Sequence, residues 1–444
     1  MMLFDDRLDN MGDDSSVPQG SRPSCRPADH SADRDDDDQP TSRDIHHDPW
    51  LTPACPALQT LAATVFEDIE HNSPTPPRQR RDATERRRAI TGNLIASLAL
   101  LLLYHPAGTR LAISARNGPT TRYDRPRFSR EVVTKLIGSM EALGLIIRQR
   151  GRRGNQRSTI EPTPRFRDLM AGLKLGTRPI GRAAGAETII LKAFTGRGRS
   201  KLLLDYADTP ETIAMRADMT AINAFLREAD IKLDGRPPPV PVLLTRRFQI
   251  EHPDAPHTFD QHGRLYGGFW MNLPKTQRHL LAVNGEEVAD LDFTAMFPQL
   301  AYLEAGAALS QGDPYSGIEG LPRAAAKMGL SALLCRRGAM RRLPSEVREA
   351  AGKEWNAKRL SGALAQRHPA IASMFGTGLG LRLMFTESRI LVEALRTLME
   401  RRVPALPMHD GIMVPRSKAN QAVIAMIHAS EEIAGARLPV VIKG

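Results

Sequence analysis

Glu286-Glu287-Val288-Ala289-Asp290-Leu291-Asp292-Phe293-Thr294-Ala295-Met296-Phe297-Pro298-Gln299-Leu300-Ala301-Tyr302 is the stretch whose reading decides the fold of this chain. Its alternating first half predicts a strand from Val288 to Phe293, and its second half predicts an amphipathic helix. Pro298 is tolerated there because it falls in the first helical turn. A carboxylate at the end of a strand, facing a helix N-terminus, is a natural place to hold a divalent cation over a phosphate. A single such acid is more often a solvated or capping residue. Asp292 therefore acquires meaning only through partners elsewhere in the sequence.

The 444 residues are enough for two or three domains with their own cores, and 41% hydrophobic with 25% charged residues suits a soluble protein. The longest apolar run, Leu94 to Leu103, is too short for a membrane span and reads as a buried helix. The N-terminus shows no basic start followed by an apolar core, so no secretory signal is expected. Cys25, Cys55 and Cys335 are far apart, which argues against a disulfide framework or a zinc cluster and suits a cytoplasmic location.

The net charge of +11 is unevenly spread. Residues 1–48 hold 13 Asp and 5 Arg, whereas Arg78 to Arg157 holds 18 Lys or Arg against 5 Asp or Glu. Such a basic density on a folded segment favours a polyanionic partner, because each neutralised phosphate releases counterions. Residues 1–77, with Asp35-Asp36-Asp37-Asp38 inside them, are poor in apolar surface and are expected to form a disordered acidic tail.

A helix is expected from Ala89 to Tyr104, and a second is capped by Ser129 and carries Val132, Leu136, Ile137, Met140 and Leu143 at helical spacing. Gly144 then ends the helix, and Leu145-Ile146-Ile147 opens a strand joined through Arg150-Gly151-Arg152-Arg153-Gly154-Asn155-Gln156-Arg157 to another at Ser158–Glu161. Two helices followed by a hairpin with an arginine-loaded tip resemble the winged-helix DNA-binding domains, over residues 78–170. That resemblance implies that the helix carrying Arg130 and Lys135 enters a major groove, while Arg148, Arg150, Arg152, Arg153 and Arg157 follow the DNA backbone or minor groove. Residues 171–200 read as a Gly- and Arg-rich linker. Beyond it come a helix at Thr209–Glu228, with Ile213, Met215, Met219, Ile222 and Phe225 as its core face, and a strand at Val242–Ile250.

The approach to Asp292 is more specific. Gly263-Arg264-Leu265, then Asn272-Leu273-Pro274 and Arg278, precede the acid-bearing strand. Arg323-Ala324-Ala325-Ala326-Lys327 and Leu406-Pro407-Met408-His409-Asp410-Gly411 follow it. In this order the motifs resemble the palm and fingers of A-family, polymerase I-like DNA polymerases. The implied fold class is α+β: an antiparallel palm sheet with helices (255–312 and 386–444) and short helical fingers (313–385), within a polymerase domain of residues 201–444. The resemblance implies that Asp292 and Asp410 are the catalytic acids and hold two Mg²⁺ ions, with Mn²⁺ as a substitute. It further implies that Arg323 and Lys327 grip the triphosphate of an incoming dNTP, and that Arg264, Arg278 and His409 contact a primer–template DNA duplex.

Three departures bear on mechanism. Phe297 stands where that family has a bulky acid, and the local string resembles the B-family motif in which an aromatic screens the sugar 2′ position. Gly411 replaces an acid or serine after His409-Asp410, which leaves Asp290, Glu286 or Glu287 as accessory acids. The helix after Lys327 has Ser331 and Cys335 where an aromatic is expected. No segment resembles a proofreading exonuclease or a 5′ nuclease. The leading expectation is a DNA-directed DNA polymerase acting in replication or repair of DNA, that of a mobile element included. The alternatives are a primase-like RNA-making enzyme, a DNA-binding replication initiator or regulator with an inactive palm-like domain, and a metal-dependent nuclease.

Overall fold

The structure, a computed structural model, describes residues 44–73, 81–113, 120–151, 158–194 and 201–443, and within them helices and strands mix in an α+β arrangement. No helix among the described residues is long and apolar enough to cross a membrane. The chain divides into two compact units, one running up to Glu187 and including Ile231–Val242, the other formed by Thr188–Asp230 and the residues from Leu243 onward.

The first unit contains β1 (Asp44–His46), β2 (Leu51–Pro53), α1 (Pro56–His71), α2 (Arg81–Tyr104), β3 (Arg110–Ile113), α3 (Arg130–Ala142), β4 (Ile146–Gln149), β5 (Ser158–Pro162), α4 (Pro164–Ala171) and β6 (Ile180–Arg182). Its sheet has the order β1-β3-β5-β4, in which only the β1–β3 pairing is parallel. Here the reading of residues 1–77 as a disordered tail is corrected for residues 44–73, which form β1, β2 and α1. Helix α1 buries Leu58, Leu61, Val65, Phe66 and Ile69 on one face. Buried Asn93 of α2 fastens the preceding segment, its amide donating to the carbonyls of Asp48 and Leu51 at 2.9 Å each. The His47 ring lies 2.6 Å from the Asn93 carbonyl oxygen, and burial holds the pKa of that ring below its ordinary value. Averaging composition over the acidic stretch concealed this local apolar periodicity.

The expected linker is likewise partly structured. Strand β6 pairs with β2, and Arg182 meets Asp48 at 2.7 Å. The Ser129 hydroxyl caps α3 by accepting from the Val132 amide, as expected, with Val133, Leu136, Ile137 and Met140 buried. Val132 and Leu143 are half-buried beside them.

The second unit begins with β7 (Ile189–Phe194), also inside the expected linker, followed by β8 (Lys201–Leu203) and α5 (Pro210–Glu228). After β9 (Ile231–Leu233), which groups with the first unit, come β10 (Thr245–Ile250) and β11 (His262–Tyr266), giving a sheet of order β11-β10-β7-β8. Thr209 and Thr212 form a reciprocal cap that starts α5. Its buried face is Met215, Met219, Ile222 and Leu226; Ile213, expected in the core, is 54% exposed.

A second sheet carries the acid. It is built from β12 (Leu281–Val283), β13 (Glu286–Phe293), β14 (Leu406–Pro407), β15 (Gly411–Pro415) and β16 (Val440–Lys443). Helices α6 (Met296–Glu304), α7 (Arg323–Cys335), α8 (Ser345–Ala351), α9 (Ala357–Arg367), α10 (Gly380–Glu400) and α11 (Ala419–Ala434) complete the unit. Strand β15 lies antiparallel to β13 on one side, and β16 pairs with the far end of β13 on the other. Helix α11 packs on this sheet, while α10 packs on α11, α6 and β11 through a stripe that includes Leu383, Leu391, Leu395 and Leu398.

Candidate active site

Asp292 sits directly opposite Gly411 in the β13–β15 ladder, so the turn His409-Asp410 wraps over the end of the acid-bearing strand. The Met408 amide donates to the Gly411 carbonyl at 2.8 Å, closing the turn, and the Phe293 amide donates to the Asp410 carbonyl at 3.1 Å. Fully buried Trp270 steadies the hairpin by donating its indole N–H to the Pro407 carbonyl at 2.8 Å. The result places the two carboxyl groups, 118 positions apart in sequence, within hydrogen-bonding reach of each other. Gly411 is part of that design. A Cβ there would lie 2.2 Å from the Leu291 carbonyl oxygen and 2.8 Å from Asp292 Oδ1. No larger residue fits at 411 without moving the Leu291 carbonyl and the Asp292 carboxylate.

Asp292 is 5% exposed, and its carboxyl is pushed up to about 8, first by burial and then by the charge of Asp410. The Lys443 ammonium opposes this by pairing with Asp292 Oδ2. Two like charges held together out of water are costly, so the arrangement calls for a cation. Among the described residues no group of three or more His, Cys, Asp or Glu is gathered to hold a metal. A pair nevertheless fits Mg²⁺, which takes one or two carboxylates and completes its shell with water and substrate phosphate oxygens.

The accessory acids expected from the sequence are engaged elsewhere. Asp290, two residues before Asp292 on the same face, pairs with Arg278 at 3.0 Å. Glu286 accepts from the Ser417 amide and hydroxyl at 3.1 and 2.9 Å, and Glu287 faces Arg416 at 3.6 Å.

Arg323 and Lys327 lie one turn apart on α7, with their cationic groups 5.3 and 5.9 Å from the centre of the Tyr315 ring. Tyr315 is buried, and its hydroxyl is pushed up in pKa first by burial and then by Asp410. This tyrosine thus connects the cationic helix electrostatically to the acid pair. Its loop is pinned by His368, whose Nδ1 lies 2.9 Å from the Tyr302 hydroxyl and whose Nε2 lies 2.9 Å from the Pro314 carbonyl. The Arg323 guanidinium is held by Asp313 in a two-pronged contact of 2.6 and 3.2 Å. Phe297 is half-buried in the first turn of α6, just after Ala295, a non-glycine residue at φ 51°. Such a left-handed residue costs about 1–2 kcal/mol, which the flanking strand and helix must offset.

Other expected site residues fall differently. Arg264, expected at a primer–template duplex, is largely buried: its Nε and terminal nitrogen meet the two Glu387 oxygens at 2.9 and 3.0 Å, with side chains 10% and 2% exposed. The terminal nitrogen donates to Glu387, while the Nε approach is an ionic contact without hydrogen-bond geometry. Arg278 is committed to Asp290. His409 is half-buried, its ring 6.0 Å from that of Tyr266, over which Arg247 sits at 4.3 Å. In the first unit, Lys135 and Arg150 are exposed and Arg130 and Arg148 half-buried, with Lys135 paired to Glu131 at 2.7 Å. Arg152, Arg153 and Arg157 lie outside the described residues.

Lys443, Tyr315, Glu387 and Trp270 were not anticipated as site residues. Glu387 left one signal, a charge four positions from both Leu383 and Leu391 on an otherwise apolar stripe. Lys443 left none, because its partner depends on strand register. No known family's sequence profile matches the chain, and no curated protein matches it.

Proposed function

We propose that this chain is a template-directed nucleotidyltransferase, a DNA polymerase without a proofreading domain that acts in DNA replication or repair. The observation that carries the proposal is buried Asp292 at a strand end, apposed to half-buried Asp410 in an adjoining hairpin turn. Nucleotide addition needs two such acids, distant in sequence and adjacent in space. Two Mg²⁺ ions bound there would lower the pKa of a primer 3′-hydroxyl and neutralise the leaving pyrophosphate. Asp292 and Asp410 would hold the ions, beside buried Tyr315. Arg323 and Lys327 offer two cations on one helical face to a triphosphate, with Arg323 exchanging Asp313 for phosphate oxygens of the same geometry. Phe297 screens the sugar.

The motif order supports a palm with short helical fingers of the A-family type. In the first unit, a capped helix followed by the antiparallel pair β4 and β5 supports a winged-helix role in recruiting DNA. The test is extension of a primed DNA template by the full chain with Mg²⁺ or Mn²⁺. The proposal expects extension with dNTPs in preference to rNTPs, and a relaxed preference in Phe297→Ala. Absence of extension by the wild type on every primed template would overturn the polymerase reading. Unchanged sugar choice in Phe297→Ala would remove only the gate.

A further inference from the structure

One contact at the acid pair is unaccounted for by the reaction. Lys443 on β16 lies opposite Asp290 in the strand register, yet its ammonium contacts Asp292. The neighbours explain the diversion. Asp290 is already neutralised by Arg278, and Glu286 and Glu287 are turned toward Ser417 and Arg416. Strand β15 brings no charged side chain to the ladder, Gly411 being followed by Ile412, Met413, Val414 and Pro415. Arg323 is held by Asp313, and Tyr315 presents a neutral hydroxyl. Among these described neighbours, Lys443 is the cation that meets the pair, at Asp292.

We infer that Lys443 is the resident counter-cation of the Asp292–Asp410 pair and competes with a divalent metal for it. The inference rests on the reading of that pair as a metal site, and it assigns the lysine a role beyond holding the sheet together. An ammonium is a compact point charge on a flexible stem, so it neutralises a carboxylate and still swings away when a stronger cation arrives. The Lys443 side chain is 25% exposed, which leaves it room to do so, whereas that of Asp292 is 8% exposed and its backbone is paired on both sides at the end of β13. With Lys443 in place the pair carries less net negative charge toward a divalent ion. Removing the ammonium raises affinity for metal and takes away the charge compensation of the metal-free fold.

Mn²⁺ titration of the full chain, without DNA or nucleotide and followed by the resonance signal of free Mn²⁺, tests this directly. Lys443→Met and Lys443→Gln are expected to bind Mn²⁺ about fivefold more tightly than the wild type, the size of a partly exposed ion pair, and to melt at lower temperature in chelator. Lys443→Arg is expected to stay near the wild type in both measurements. Asp292→Asn is expected to weaken Mn²⁺ binding, locating the ion. Binding by Lys443→Met that is equal to or weaker than that of the wild type, including no binding by either, overturns the inference. Loss of the polymerase reading would appear instead as absent primer extension, with the Mn²⁺ result still standing.

Discussion

The acid-bearing sheet of the second unit and the basic surface of the first handle charge in opposite ways. Lys135 and Arg150 stand exposed in the first unit, and Lys135 has a local partner one helical turn away. Exposed charges of this kind cost the fold little and constrain it little. Asp292 is buried against a second carboxylate, with one lysine to offset them. That placement opposes folding, so its presence calls for a reason beyond architecture. A basic surface indicates a class of partner, whereas a buried like-charged pair indicates a chemistry.

The comparison can be broken most forcefully at Arg264. Its ion pair with Glu387 is as buried as Asp292, but there the two charges are opposite. Arg264→Ala strands Glu387 and should cost about 3–5 kcal/mol, seen as a large drop in the melting temperature of the second unit. A drop under about 1 kcal/mol would place Arg264 with the exposed charges instead.

A smaller effect follows from pH. The Asp292 carboxyl titrates near 8 in the folded protein against an ordinary 3.8. Its contribution to stability is therefore complete below about pH 4 and is lost as pH rises through about 8. In chelator, the wild type should lose about 2–3 kcal/mol between pH 6 and 9 relative to Asp292→Asn, which has no charge to uncover. Parallel pH profiles for the two proteins would show that the pair is not electrostatically coupled.

The smallest effect belongs to the basic surface. Replacing both Lys135 and Arg150 by Ala should weaken duplex binding at about 100 mM salt several-fold and lower the slope of log affinity against log salt by about 2. No change in slope would contradict the proposal that both residues face DNA.

Much of the second unit was legible because its signals are local. The strand through Asp292 and the helix after it lie where residue alternation and helical spacing place them, and the His409-Asp410 turn lies where the resemblance implies. The Arg323–Lys327 spacing also put both cations over one ring. What escaped was relational. The Arg264–Glu387 and Lys443–Asp292 pairings are set by which elements pack and by strand register, which a single sequence does not encode in spacing. In the first unit, composition outweighed periodicity, and α1 was taken for part of an acidic tail although its apolar residues recur at helical intervals.

The most direct test of the central claim is Mg²⁺-dependent primer extension by Asp292→Asn and Asp410→Asn beside the wild type, with the melting temperature of each recorded in chelator. The account predicts that each substitution lowers extension by about a thousandfold or more while leaving the metal-free fold as stable as the wild type or more so. Extension that survives either substitution at near wild-type rate would contradict it.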